Sequence, residues 1–427
     1  MFNRRKFLKA MACLGAGSGF RVPIANGAQY DGKLFIFVQA QGGWDPTSFC
    51  DPKVNHQGER VINNWAIRDA VRQAGNIQYA PFANNVRFFE KHYSKMLVIN
   101  GVDTQTNSHS AGLVHTWSGR ISEGYPTTTA LLANHLGGGL TMPYLSFGGY
   151  SVTAGIGTYT RLTHSEELRN IASPETDPFD RDHRFVTQGE REALLRHERR
   201  RAARLAATEN LMPRDRRGRE TFARALAPSA VDGLLAFGDM INDLDRSNEL
   251  DMLGPDSTLK RQSQLALLAF RARVAVSADL SLLGFDTHDD HDDEHALALS
   301  ALTDGVDYLW ELAERFGLAN RLVVVMGSDF GRTNHYNSSK GKDHWPIGSF
   351  VVMEKNQPWT NRVVGETDGL HFARRLHPVT LATDHIAGVL IRPAHVHKAL
   401  RRYLGIEQSE ASLRFPFRQV ESLPLFG

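Results

Sequence analysis

The sequence predicts an α/β fold: a mostly parallel central sheet flanked by helices, with a helical insertion at about residues 177–250. Three observations predict it. Short unbroken apolar runs, above all Leu34-Phe35-Ile36-Phe37-Val38 and Leu322-Val323-Val324-Val325-Met326, fit strands covered on both faces. Amphipathic helical stretches fall between such runs, and strand–helix alternation is the pattern of a parallel sheet. The stretch 177–250 breaks the alternation, being rich in Arg, Glu, Ala and Leu in the manner of consecutive helices. A chain of 427 residues can bury a sizeable core, either as one large domain with an insertion or as two domains. One domain over residues 29–427 is the expectation.

The chain opens on Asn3-Arg4-Arg5-Lys6-Phe7-Leu8-Lys9, followed by a Gly-rich, mildly apolar stretch to Phe20. Paired arginines ahead of Phe-Leu and a weak apolar region read as a twin-arginine export signal over residues 1–28, with cleavage near Ala28. Passage through the twin-arginine (Tat) translocase and a periplasmic or secreted location are the matching expectations. Residues 1–28 hold five cationic side chains and no acidic one, so their removal takes the formal net charge from +2 to −3. A mildly acidic chain is a poor ligand for nucleic acid, and no nucleic-acid partner is expected. No other stretch approaches the ~18 apolar residues of a membrane span, so no stable membrane insertion is expected either. Only Cys50 remains after cleavage, which leaves no partner for an intramolecular disulfide.

Along the chain, the first strand (34–38) runs into Gln41-Gly42-Gly43-Trp44-Asp45. A second, at 96–99, leads through a polar loop to a helix at 111–117, and a weaker strand follows at 143–146. Within the insertion, Arg196-His197-Glu198-Arg199-Arg200-Arg201 is the densest charge run. It reads as a solvated helix face, because Glu192–Arg196 and Glu198–Arg201 fall at pairing spacing; an anion-binding patch is the alternative. A helix at 258–274 and a strand at 279–283 lead to Gly284-Phe285-Asp286-Thr287-His288. An amphipathic helix at 295–316 precedes the strand at 321–326, which ends in Gly327-Ser328-Asp329-Phe330-Gly331-Arg332. A strand at 349–353 and helices at 377–391 and 395–404 complete the chain.

Three of these strands are followed within a few residues by an aspartate: Asp45, Asp286 and Asp329. Ligand sites in open α/β sheets form at the carboxyl ends of strands, so the three can converge. Taken singly, each also fits a turn or a helix cap. Asp286 and His288 stand two apart; if the strand continues through them, both point to one side and can reach one ion. Mixed nitrogen and oxygen ligation suits Zn, Mn or Fe better than Ca. His344, in Lys342-Asp343-His344-Trp345-Pro346, is a further candidate ligand. Thr106-Asn107-Ser108-His109-Ser110 lies between a strand and a helix. A hydroxyl there caps the helix or, beside a metal, serves as a nucleophile facing an oxyanion at the helix N-terminus. His109 would orient it or contact the substrate, and Arg332 and Lys342 would meet an anionic substrate. There is no G-x-S-x-G elbow, Walker A loop or Cys-x-x-Cys pair.

Gly42-Gly43-Trp44-Asp45, Phe285-Asp286-Thr287-His288, Ser328-Asp329-Phe330-Gly331-Arg332-Thr333 and Lys342-Asp343-His344, behind a twin-arginine leader, resemble a large bacterial family of twin-arginine-exported proteins with a domain of unknown function. That family is similar in motif order to the alkaline phosphatase/sulfatase-like superfamily. The resemblance implies an alkaline-phosphatase-like fold and one or two divalent metals held by Asp45, Asp286, His288, Asp329 and His344. It also implies Ser108, or else Thr106, as nucleophile, and hydrolysis of a small phosphate or sulfate ester. One position departs from the pattern: the superfamily usually carries a histidine directly after the later aspartate, and here Phe330 follows Asp329. A non-catalytic extracytoplasmic binding or assembly protein that keeps the fold is the alternative.

Overall fold

The computed structural model describes residues 30–137, 139–162, 183–208, 211–247 and 257–427, with positions 167, 172 and 177 between them. The signal assigned to residues 1–28, and parts of the stretch 177–250, lie outside the described residues. The strands, in chain order, are β1 (Leu34–Ala40), β2 (Arg72–Ala74), β3 (Ile77–Tyr79), β4 (Met96–Asp103), β5 (Tyr144–Ser146), β6 (Thr160–Arg161), β7 (Ser277–Leu282), β8 (Leu322–Ser328), β9 (Gly331–Arg332), β10 (His344–Trp345), β11 (Ile347–Met353) and β12 (Arg362–Val364). The helices are α1 (Asn85–His92), α2 (His109–Ser118), α3 (Thr128–Leu136), α4 (Gln188–Ala206), α5 (Pro213–Ala225), α6 (Pro228–Ser247), α7 (Ser257–Arg271), α8 (His291–Arg315), α9 (Pro393–Tyr403) and α10 (Glu410–Arg414).

Eight strands form one sheet in the order β12-β4-β11-β8-β1-β7-β5-β6. Every pairing is parallel except those of β11, which runs antiparallel to both β4 and β8. The protein is thus an α/β fold on a mostly parallel sheet. β1 and β8 are buried along their whole length, as their unbroken apolar sequences require. Their residues alternate between two cores. Leu34, Ile36, Val38, Leu322, Val324 and Met326 belong to one, which α7 and α8 cover with Leu265, Leu268, Leu302 and Val306. Phe35, Phe37, Val323 and Val325 belong to the other, beneath Trp117 of α2, Leu131 of α3 and Leu400 of α9. Each large apolar side chain so buried contributes ~1.5–3 kcal/mol relative to exposure.

Two local expectations need correcting. Residues 377–391 form turns rather than a helix: His377 Nδ1 accepts from the Val379 and Thr380 N–H groups, and Asp384 Oδ1 from those of Ile386 and Ala387. Side chains that bond the nearby backbone in this way compete with the helical ladder, and Pro378 and Gly388 weaken it further. The strand expected at 279–283 spans Ser277–Leu282, so the condition that it continue through Asp286 and His288 is not met; a turn closed by His288 N–H to Asp286 O at 3.3 Å follows instead. Among the described residues, no helix is long and apolar enough to cross a membrane.

Candidate metal centre

The carboxyl ends of β1, β7 and β8 meet at one edge of the sheet, and four loops cross there. The first follows β1. Gly42 sits at φ 118°, and a Cβ on it would lie 2.4 Å from the Asp286 nitrogen, so only glycine allows the first and second loops to touch. Ser328 Oγ at the end of β8 accepts from the Gly43 and Trp44 N–H groups. The third loop, 329–344, folds back as the β9/β10 pair and sets His344 opposite Arg332. The fourth leads from β4 into α2, whose first residue is His109.

Three imidazoles and one carboxylate converge between these loops. His109 Nε2 lies 3.2 Å from Asp286 Oδ2 without the alignment of a hydrogen bond. His288 Nε2 and His344 Nε2 lie 3.1 and 3.2 Å from Asp286 Oδ1, and 2.9 Å from each other. His109, Asp286 and His344 each present one ligand atom, all within 4.8 Å of one another. Ligands about 2.0–2.1 Å from a tetrahedral ion stand about 3.3 Å apart, and the 3.2 Å separations of His109 Nε2 and His344 Nε2 from the Asp286 carboxylate match that spacing.

The opposite side of each ring settles which nitrogen carries the proton. His109 Nδ1 donates to Asp329 Oδ2 (2.9 Å), His288 Nδ1 to Asp343 Oδ1 (2.9 Å), and His344 Nδ1 to the Asn107 carbonyl (2.7 Å). With Nδ1–H committed outward, Nε2 is the nitrogen that each ring turns inward. Oxygen acceptors behind ligating histidines fix tautomer and orientation in this manner. Lone pairs facing one another and a carboxylate need a proton or a cation between them. The donor set therefore fits a divalent cation, with Zn, Mn or Fe preferred to Ca by its three nitrogens.

Electrostatics agree. Burial alone would raise the Asp286 carboxyl, but its bond to the Arg332 guanidinium (2.7 Å) and the adjoining charges outweigh that and hold it down at about 2. The bond to Asp329 raises the proton affinity of His109.

The structure redistributes several roles expected from sequence. Asp286, His288 and His344 stand together, and His109 joins them as a candidate ligand rather than an orienting group. Asp329 stands behind His109, its Oδ2 also accepting from the Gly42 N–H at 3.1 Å. Asp45 is not in the cluster. It is fully buried, and its Oδ2 bonds Lys342 Nζ at 2.7 Å. Lys342 is likewise fully buried and meets no solvent-borne anion. Arg332 is turned inward too: it donates to Gly43 O (2.8 Å), Lys342 O (2.9 Å), Gly42 O and Asp286, tying three loops together. Ser108 is exposed at the rim, its Oγ 3.2 Å from Ser110 Oγ and not capping α2. Phe330 fills the space against His109 and His344, ring centroids 4.9 and 4.5 Å away. Asp343 and the Asn107 carbonyl were not singled out in sequence; their acidic and loop settings carried no signal of what they face.

Fold and site together define an α/β protein with a candidate metal centre of His109, Asp286 and His344 at the carboxyl edge of its sheet, with His288 packed beside it. The chain belongs to the family described as Protein of unknown function (DUF1501), whose model matches residues 32–405. No curated protein matches it. Among solved structures it is similar to the lipoteichoic acid synthase LtaP from Listeria monocytogenes, at 11% identity over 94% of this chain and 78% of that one, TM-score 0.36. It is similar to the sulfatase candidate yidJ from Bacteroides fragilis, at 9% identity over 94% and 79%, TM-score 0.37. It is similar also to the alkaline phosphatase from the Antarctic bacterium TAB5, at 7% identity over 78% and 95%, TM-score 0.32.

Proposed function

We propose that this protein is a metal-dependent hydrolase of phosphate or sulfate esters that works with a single cation held by His109, Asp286, His288 and His344. The observation that carries the proposal is the convergence of three Nε2 lone pairs on one carboxylate while every Nδ1–H is bonded outward. A divalent cation bound there supplies a Lewis acid that polarises an ester oxygen and makes water more acidic. The residues of the chain do the rest. Asp329, Asp343 and the Asn107 carbonyl keep the rings aimed inward. Arg332 keeps Asp286 ionised. The first N–H groups of α2, beside His109, face the same edge and favour an anionic oxygen. Ser108, next to His109 in sequence, is the hydroxyl available to attack.

Phe330 and the exposed Ser108, whose hydroxyl is paired with that of Ser110, favour a second reading, a binding or assembly protein with a structural ion. One experiment separates the two. Purified protein is analysed for bound metal and assayed on nitrophenyl phosphate and sulfate esters, with Asp286→Ala and Ser108→Ala alongside. Bound metal and turnover, both lost in Asp286→Ala, support the hydrolase. Bound metal with no turnover on any ester supports the binding protein.

The proposed site of action is outside the cytoplasm, after export with the twin-arginine leader. Cell fractionation of an Arg4→Lys/Arg5→Lys double variant tests this: retention in the cytoplasm is expected, and unchanged export would refute it.

A further inference from the structure

The Asp45 pocket does not fit a second metal ion, because a cation of the chain's own fills it. Lys342 Nζ donates to Asp45 Oδ2 (2.7 Å), Asn63 Oδ1 (2.7 Å) and Thr47 Oγ1 (3.3 Å). An ammonium has three donors, and three acceptors meet them. His291 Nε2 stands 3.3 Å from the same Asp45 oxygen, with its Nδ1 taken up by Thr287 Oγ1 at 2.6 Å. Asp45, Lys342 and His291 are all sealed from solvent. An isolated carboxylate at that depth is costly unless a positive charge accompanies it. One carboxylate, one amide and one hydroxyl oxygen, plus one imidazole nitrogen, form a donor set that a divalent cation would also accept once the ammonium is gone. The lysine is two residues from His344, so the same short segment brings a ligand to one cation position and fills the other.

We propose that the Lys342 ammonium occupies a second cation position as a built-in counter-charge, so that the protein takes up one divalent ion rather than two, and that removing this side chain opens the Asp45 pocket to a second ion. The inference rests on the single-ion reading of the neighbouring centre but needs no turnover for its test.

Metal content is measured after loading with Mn²⁺ and dialysis. Wild type is expected to retain one equivalent, Lys342→Ala two, and Lys342→Ala/Asp45→Asn one. A Lys342→Ala variant that retains no more than wild type overturns the proposal. Thermal melts of Lys342→Ala add a second reading: methylammonium chloride, which replaces the missing head group, is expected to raise Tm in this variant and not in wild type. No such rise also counts against the pocket. Should Lys342→Ala not accumulate folded, Asp45→Asn with the lysine in place is decisive: one equivalent retained is expected, and loss of an equivalent relative to wild type would show that Asp45 holds metal in the native protein. None of these arms reads ester hydrolysis, so an inactive protein with the expected stoichiometries leaves the proposal standing while removing the hydrolase reading.

Discussion

Replacement of Asp329 separates a group that holds a ligand from a group that is one. Its Oδ2 takes two N–H bonds, from His109 Nδ1 at 2.9 Å and from Gly42 at 3.1 Å. Asp329→Asn keeps the shape and one carbonyl acceptor but removes the charge. A charge-assisted bond contributes about 1 kcal/mol more than a neutral one, so metal affinity should fall about fivefold. Asp329→Ala removes the acceptor altogether and frees the His109 ring to turn. Loss of such an outer partner weakens metal binding by about 10–100-fold, or about 1.4–2.7 kcal/mol. Asp286→Ala removes a proposed ligand and, among the described residues, the carboxylate that stands between the rings, and should lose more than either. The assay is competition of each variant against a chelator of known affinity for Zn²⁺, with circular dichroism to confirm the fold. The ordering Asp286→Ala weakest, Asp329→Ala next, Asp329→Asn nearest wild type is required. A folded Asp329→Ala with wild-type affinity would refute the role of the outer acceptor. One as weak as Asp286→Ala would mean that Asp329 itself binds the ion.

Three further outcomes are expected. Asp279, wholly buried in β7 and bonded by the Tyr144 hydroxyl, is pushed up to about 8 by desolvation; the fold favours its protonated form, so stability should decline as pH rises from about 4 to about 8 and level off above that. Asp279→Asn should flatten that slope in denaturant titrations, and an unchanged slope would show the decline to come from elsewhere. Gly341→Ala places a methyl 1.7 Å from the His288 carbonyl oxygen, so the two loops must part; a loss of about 3 kcal/mol and weaker metal binding are expected, read by Tm and by chelator competition. Arg332→Lys keeps the charge but not the fork that spans Gly42, Gly43, Lys342 and Asp286; a loss of about 2–4 kcal/mol is expected in urea unfolding, and full stability would show that charge alone suffices.

Much of the sheet was legible because its central strands announce themselves: a strand covered on both faces must be apolar throughout, and β1 and β8 are. The ends of helices were less so. α8 begins at His291, four residues before its first apolar turn, from an Asp290 in the left-handed region (φ 35°) that no propensity marks. For the candidate site, strand-end position pointed to Asp286 and proximity in sequence to His288, and the two side chains stand 3.1 Å apart. Position alone could not distinguish Asp45 from Asp329 or either from Asp286, because each owes its role to a partner remote in sequence. Asp45 meets Lys342, 297 residues on, and Asp329 meets His109, 220 residues back. Charged residues buried at a strand's end look the same in sequence whether an ion, a lysine or a histidine awaits them.

The reversed direction of β11 has a consequence for how such a site can change. Parallel neighbours require the chain to travel back across the sheet, whereas antiparallel ones can be joined without leaving the edge. Between β8 and β11 the chain therefore never departs from the mouth of the site, and it delivers Asp329, Arg332, Lys342, Asp343 and His344 on one continuous excursion. Because Lys342 reaches Asp45 and Arg332 reaches Gly42 and Gly43, a change anywhere in that excursion is transmitted to the loop after β1, so the two segments must change together if the site is to be rebuilt.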